Sequence, residues 1–170
     1  MLFRSDSTCS RRRPGDSVCY QFVMANPEGT QIHTLDQELD SNLESVDSAE
    51  EIVLREAGPL GFDEDDLHKI GISVRECMVN AVVHGNRYNA KKKVRLKVER
   101  SEDSITIWIA AEGAGFNPAD VPDPLHSDNL MKHSGRGVML MQAFMDGFEV
   151  TARQPRGTQV KMVKKKAVAS

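Results

Sequence analysis

The sequence predicts a two-layer α/β sandwich, with a mixed sheet in one layer and with its helices packed on one face of that sheet. Two long stretches, residues 40–58 and 63–85, space their apolar residues with the period of a helix. Five shorter stretches have the pattern of strands instead: residues 31–35, 94–98, 105–109, 148–151 and 158–162. Because each of these elements has one apolar face, helices and strands bury those faces by packing against each other.

Length and charge limit the organisation and the partners of the chain. Its 170 residues suit one domain with a sizeable core. The start is polar, basic and without periodicity, so we expect a disordered leader over residues 1–25, one domain over 26–166 and a short tail over 167–170. The net charge of −3 and the pI near 6.0 give no sign of the basic face that nucleic-acid binding requires.

Membrane, export and disulfide signals are missing from the sequence. No apolar run approaches the ~20 residues of a membrane span. Pro14, Gly15 and Asp16 follow the basic start at the place where an export signal has its apolar core. The three cysteines form no Cys-x-x-Cys pair, so neither a disulfide framework nor a zinc site is indicated. We therefore expect a cytoplasmic protein without a membrane partner.

A first helix is predicted after a short edge strand at residues 31–35. Asp40, Ser41 or Asn42 is suited to cap its start, and the segment Gly58-Pro59-Leu60-Gly61 to end it. The residues expected to face the core are Leu43, Val46, Ile52, Val53 and Leu54.

A second helix, from the acidic run at residues 63–66 to about Gly85, carries a polar row. Glu76, Asn80 and His84 recur every four residues, so they lie along one stripe of an otherwise apolar helix. A buried polar group without a partner costs about 1–3 kcal/mol. The row is therefore aimed at a metal ion, water or a ligand, or else it is satisfied by neighbouring backbone; the helix alone leaves both interpretations open.

Three glycine-rich segments downstream favour a ligand. They are Ala111-Glu112-Gly113-Ala114-Gly115-Phe116, Ser134-Gly135-Arg136-Gly137 and Arg156-Gly157-Thr158. Glycines let backbone amides approach an anion closely, and a glycine just before a helix leaves the N-terminal amides open to phosphate. These segments indicate a phosphate-binding site.

The combination resembles a known family. The Glu-x-x-x-Asn helix, the Gly-x-Gly turn, the Gly-Arg-Gly helix start and the late Gly-Thr resemble the four boxes of the GHKL (Bergerat) ATPase fold, shared by gyrase and the histidine kinases. The Asn-Ala-x-x-His-Gly-Asn ending and the Ser-Gly-Arg-Gly-Val-x-Leu-Met segment are most similar to the bacterial anti-sigma-factor serine/threonine kinases. The resemblance covers residues 30–164, and four boxes in the right order are specific. The long loop at residues 116–133 resembles the nucleotide lid of that family.

The resemblance implies a site for ATP and Mg²⁺. Glu76 would be the general base that acts on the attacking hydroxyl, and Asn80 would hold the metal ion. The other implied nucleotide contacts, on the phosphate side or on the base side, are His84, Asn86, Ala111, Gly113, Gly115, Ser134, Gly135, Arg136, Gly137 and Thr158.

One position departs from the family. Where Ala111 stands, the family has an aspartate that accepts a hydrogen bond from the adenine amino group. Strand parity places Ala111 on the core face with the isoleucines before it and turns Glu112 away, so Glu112 is a poor substitute. A lost hydrogen bond to a charged group is worth roughly 1.5–3 kcal/mol. Weak ATP binding, a water in place of the carboxylate, an engineered substitution and a vestigial site all stay open.

The function implied by the resemblance is that of an anti-sigma factor with kinase activity. Such a protein binds a sigma factor and phosphorylates a serine or threonine of a small antagonist in a partner-switching system. The alternative is a non-catalytic binding module of the same fold, which Ala111 favours and Glu76 and Asn80 oppose. A homodimer would use exposed apolar residues of the first helix and the edge strand.

Overall fold

The computed structural model describes residues 19–25, 29–113 and 133–168, with side-chain surroundings for 29–113 and 136–168. In chain order its elements are β1 (Cys19–Ala25), β2 (Gln31–Asp40), α1 (Glu44–Ala57), α2 (Glu64–Val79), a π-helical turn (Asn80–Gly85), β3 (Lys93–Arg100), β4 (Ser104–Ala111), α3 (His133–Phe144), β5 (Gly147–Ala152) and β6 (Thr158–Lys165). The strands form one six-stranded sheet in the order β1-β2-β3-β4-β6-β5. The helices pack on one of its faces, which confirms the predicted α/β sandwich.

The connections explain why this sheet is antiparallel and not mixed as expected. All five strand pairs among the described residues are antiparallel. Between β2 and β3 the chain passes through α1 and α2, and two helices in succession return it to the end of the sheet from which an antiparallel strand starts. The single crossover through α3 makes β5 parallel to β4, but β6 lies between them and pairs with both.

The predicted disordered leader, residues 1–25, overlaps the first strand of the sheet. Residues 19–25 form β1, which pairs with β2 from Cys19 opposite Gln37 to Ala25 opposite Gln31. β2 itself is ten residues long and is the second strand of the sheet, so the prediction of a short edge strand there is wrong. The aromatic and β-branched residues of Tyr20-Gln21-Phe22-Val23 are the sequence signal for this strand.

The start of α1 confirms one of the three proposed caps. The side-chain oxygen of Asn42 accepts hydrogen bonds from the Ser45 amide at 2.9 Å and from the Ser45 hydroxyl at 3.0 Å. Ser41 instead donates its hydroxyl hydrogen to the Lys92 carbonyl, 2.8 Å away. Leu43 is 53% exposed, so its predicted place in the core is wrong; it precedes the first helical turn and points to solvent.

The core lies between the sheet and the helices. The alternation predicted for β3 and β4 holds, since their core-facing residues are buried and Trp108 lies on the opposite face. The largest fully buried side chains, from both layers, are Leu35, Val53, Ile70, Val74, Met78, Val82, Leu96, Ile105, Ile107, Ile109, Met141 and Met162. Among the described helices, none has the length and apolar character needed to cross a bilayer.

Candidate active site

The predicted polar row lies where α2 changes its geometry. Asp63 caps α2 by accepting a hydrogen bond from the Asp66 amide at 2.8 Å. From Asn80 onward the helix widens into the π-helical turn, where the Asn86 amide donates to the Ala81 carbonyl at 2.8 Å. Such wide turns are rare and occur often at functional sites. Glu76 and Asn80 are half-buried in the row, whereas His84 is exposed.

Gly137 of α3 meets that row. A Cβ atom at Gly137 would lie 2.7 Å from Glu76 Oε2 and 3.6 Å from Asn80 Nδ2, so glycine leaves the room that the Glu76 carboxylate fills. The helix begins at His133, so the segment Ser134-Gly135-Arg136-Gly137 lies inside its first turns and not before it. Gly137 is therefore one turn inside α3, where backbone amides are taken up by the helix. Gly137 therefore contributes to the site because it has no side chain, which leaves room for the Glu76 carboxylate.

The end of β4 is enclosed by close backbone contacts. A Cβ atom at Gly113 would lie 1.6 Å from the Gly85 carbonyl oxygen, and one at Gly157 would lie 2.1 Å from the Ala111 carbonyl oxygen. Gly157 also has a φ of +113°, which side chains rarely adopt. Only glycine fits at these two positions. The π-helical turn, the end of β4 and the turn before β6 consequently meet at backbone distance.

The Asn86 side chain stabilises the place where the π-helical turn meets the end of β4. Its buried carboxamide donates to the Ser41 hydroxyl at 2.7 Å and to the Lys93 carbonyl at 3.0 Å, and it accepts from the Glu112 amide at 2.9 Å. These bonds join the start of α1, the start of β3 and the end of β4. The contacts that the structure shows for this side chain are thus internal ones, and the phosphate-side role implied for Asn86 stays a prediction.

The base side has the arrangement that strand parity predicted. Ala111 is 4% exposed, and Thr158, which is its cross-strand partner on β6, is 7% exposed. Glu112 is exposed, and its carboxylate accepts a hydrogen bond from the Lys93 amide at 3.0 Å. The position of the family aspartate is therefore filled by a methyl group, and the neighbouring carboxylate is held elsewhere.

Neighbours of Glu76 fix the helix that carries it. Arg75 forms ion pairs with Asp47 at 2.7 Å and Glu50 at 2.6 Å on α1, and its hydrogen bonds to Glu50 and Asp47 raise the pKa of the guanidinium. Cys77 is buried on the other side, and burial raises the pKa of its thiol to about 12. This thiol is neutral at physiological pH and packs as a small apolar group.

The residues that meet here suit a hard cation and a polyphosphate. Asn80 offers a carboxamide oxygen, a type of ligand that Mg²⁺ prefers over nitrogen or sulfur, and the Glu76 carboxylate lies near it. Gly137 leaves the room in which the Glu76 carboxylate lies near Asn80. This donor set fits the Mg²⁺ that accompanies the ATP implied by the sequence.

The remaining predicted site residues divide into two groups. Ser134 and Gly135 lie in the first turn of α3, and Arg136 is exposed on the same helix. Gly115 and the lid segment up to residue 132 lie outside the described residues. Gly85 and Gly157 were not among the implied nucleotide contacts although they shape the site. The sequence signal for them was their place in the His-Gly-Asn ending and in the segment Arg156-Gly157-Thr158.

The chain is similar to known proteins of the family that its motifs resemble. Residues 39–164 match the histidine kinase-like ATPase domain family. The anti-sigma F factor of Clostridium beijerinckii is 32% identical over 108 residues, which cover 62% of this chain and 76% of that protein. The anti-sigma F factor of Clostridium perfringens is 32% identical over 103 residues, which cover 59% of this chain and 74% of that protein. The anti-sigma F factor of Oceanobacillus iheyensis is 32% identical over 102 residues, which cover 59% of this chain and 70% of that protein.

Proposed function

Because the chain belongs to the histidine kinase-like ATPases and, within them, to the anti-sigma-factor kinase family, we propose that it phosphorylates a serine or threonine of an anti-sigma-factor antagonist. ATP is the phosphoryl donor, Mg²⁺ is the metal ion, and a sigma factor is the second partner. Phosphorylation releases the antagonist and leaves the protein free to hold the sigma factor. Such a cycle operates in the cytoplasm.

The meeting of Glu76, Asn80 and Gly137 is the observation that carries this proposal. Glu76 orients the attacking hydroxyl and accepts its proton, a role that contributes roughly 10²–10⁴-fold to a rate. Asn80 would hold the metal ion through its carboxamide oxygen. Mg²⁺, when bound, neutralises charge that develops on the transferred group. Gly137 keeps α3 close to both side chains without displacing either.

Ala111 makes base recognition weaker in this proposal but does not remove it. Thr158 and the backbone at Gly113 contact the base side, while the hydrogen bond to the adenine amino group is lost. That loss of roughly 1.5–3 kcal/mol corresponds to about one to two decades of affinity. Calorimetric titration of Mg·ATP into this chain and into Ala111→Asp tests the site, and we expect the aspartate variant to bind at least about tenfold more tightly.

Phosphotransfer to an antagonist tests the reaction itself. We expect Glu76→Gln to bind Mg·ATP as the unchanged chain does and to lose phosphotransfer by at least about 100-fold. Glu112→Gln is the matched control, because it removes the same charge from an exposed carboxylate that lies outside the reacting groups. Full phosphotransfer by Glu76→Gln would contradict the assigned base.

The second candidate, a non-catalytic binding module, is distinguished by the same measurements. It predicts no binding of Mg·ATP by either version of residue 111. The anti-sigma F relatives and the close approach of Glu76 to Gly137 favour the kinase.

A homodimer belongs to the proposal as well. Leu43, which is 53% exposed beside α1, is the apolar residue that such a contact would cover. Sedimentation equilibrium of the chain and of Leu43→Glu measures it, and a dimer unaffected by the substitution would exclude this surface.

A further inference from the structure

The open face of the sheet, on the side away from the helices, carries a cleft of about 290 Å³. Its floor is Ala110, which the strand register aligns between Arg95 of β3 and Gln159 of β6. The two long side chains stand on either side of a methyl group, and this difference in size makes the depression. Trp108 and Arg153 complete its walls.

Trp108 presents an aromatic wall with cations beside it. Lys97 Nζ lies 4.7 Å from the centre of the indole ring, and Lys161 Nζ lies 5.8 Å from it. Both distances are within the range of a cation–π interaction. The wall thus combines an apolar surface with positive charge.

The charges that line the cleft do not balance. Arg95 is held by Asp36, with Nε 2.8 Å from Oδ1, and Lys97 pairs with Glu99 at 2.7 Å. Arg153 has no ion pair within residues 29–113 and 136–168. The chain as a whole is negative, with a net charge of −3, so this positive charge is a local feature. The guanidinium of Arg153, which has no ion pair within those ranges, suits one carboxylate of a ligand.

The size of the cleft decides between classes of ligand. Pockets for small molecules usually measure about 300–1,000 Å³, so a cleft of about 290 Å³ suits one or two side chains better than a nucleotide. A chain segment that presents a carboxylate next to an apolar side chain would satisfy both Arg153 and Trp108. We propose that an acidic segment of a partner protein docks on this face, with one carboxylate on Arg153.

Pairing of this face with a second copy about a two-fold axis through Trp108 is disfavoured. Lys97, Trp108 and Lys161 are aligned across β3, β4 and β6. A two-fold axis along the strands through Trp108 would place Lys97 opposite Lys161 of the other copy. An axis across the strands would place each lysine opposite its own counterpart. Both arrangements bring like charges together, which disfavours association.

Trp108 is the only tryptophan of the chain, so its fluorescence reports on the cleft. The probes are two end-blocked pentapeptides, Ala-Leu-Glu-Leu-Ala and Ala-Leu-Gln-Leu-Ala, titrated into the full chain to millimolar concentration. We expect the glutamate peptide to change the emission saturably and to bind about tenfold more tightly than the glutamine peptide. The reason is that only the glutamate carboxylate forms a hydrogen bond with Arg153 in which both groups are charged.

Three variants complete the test. Arg153→Gln and Gln159→Glu remove or oppose the positive charge, and each is expected to weaken the glutamate peptide about tenfold. Arg55→Gln is the matched control, on an exposed position of α1 in the other layer, and is expected to change nothing. Thermal unfolding identifies which of the two cleft variants is folded, and either folded variant suffices.

Three results would overturn the proposal. One is the absence of a saturable change in emission, or equal binding of the two peptides. Another is unchanged binding by a folded cleft variant. The third is a dimer in sedimentation equilibrium whose formation shifts the Trp108 emission and is abolished by Arg153→Gln, because this face would then join two copies of the chain.

Discussion

Gly137→Ala separates the stability of this protein from its proposed chemistry. The new Cβ atom would lie 2.7 Å from Glu76 Oε2, a distance that unstrained atoms do not reach. The Glu76 carboxylate is the far end of a flexible side chain, so it gives way before the backbone does. We therefore expect the fold to survive and the carboxylate to leave its place beside Asn80.

The free energy of unfolding should change little. Alanine is more favourable than glycine inside a helix by about 0.8–1.0 kcal/mol. A side chain forced off its rotamer costs about 0.5–1.5 kcal/mol. These two effects oppose each other, so the net change is expected to stay within about 1 kcal/mol.

The rate should change far more than the stability. A misplacement of about 1 Å in a reacting group costs on the order of 10²-fold, and the whole contribution of a general base is roughly 10²–10⁴-fold. We expect kcat for phosphotransfer to an antagonist to fall by about 100-fold or more. The measurement combines steady-state phosphotransfer with urea unfolding of the same preparation.

Gly71→Ala is the matched control in the neighbouring helix. Its Cβ atom would lie 2.9 Å from Glu50 Oε1, again the end of a flexible acidic side chain, and Asp47 keeps Arg75 paired when Glu50 moves. We expect a similarly small change in stability and an unchanged kcat. Retention of phosphotransfer within about twofold by a folded Gly137→Ala variant would refute the assigned role of the Glu76 position.

Three further predictions concern the base side and the core. Gly113→Ala directs a Cβ atom at the Gly85 carbonyl oxygen and should lower the free energy of unfolding by about 3 kcal/mol or more, measured in urea, whereas Gly58→Ala, with open space around it, should change it by less than about 1 kcal/mol. Asn86→Ala leaves buried partners unsatisfied and should cost about 2–4 kcal/mol in the same assay. Burial raises the pKa of the Cys77 thiol from 9.0 to about 12, so its contribution to stability is complete below pH 9.0 and lost as the pH rises towards about 12. The stabilities of this chain and of Cys77→Ala should therefore converge on titration from about pH 8 to about pH 11.

Periodicity predicted the elements of this fold where one face of an element is buried. The alternation in β3 and β4 located Ala111 and Glu112 on the correct faces, because parity along a strand is fixed by the pleat. The same reasoning failed for β1, whose backbone is paired by the edge of β2. That pairing is a tertiary effect and leaves only a weak local signal.

The candidate site was predictable as a set of motifs but not as a set of contacts. Glu76 and Asn80 share a helical row, yet nothing in their spacing shows that Gly137 would lie against the Glu76 carboxylate. The internal bonds of Asn86 likewise depend on Ser41 and Glu112, which are distant in sequence. Long-range contacts of this kind become visible only when the chain is folded.

The structure separates what Ala111 removes from what it leaves. The enclosure of the base side depends on backbone contacts at Gly113 and Gly157 and on the Asn86 carboxamide. The side chain at position 111 contributes its Cβ atom, which lies against Gly85 and which aspartate keeps. The proposed base Glu76 lies on α2, and the proposed metal ligand Asn80 begins the π-helical turn. A missing carboxylate should therefore weaken the binding of ATP without disturbing the transfer step. We expect Ala111→Asp to lower KM for ATP by about 10- to 100-fold at nearly constant kcat, whereas a rise in kcat of the same size would show that the base side also positions the phosphates.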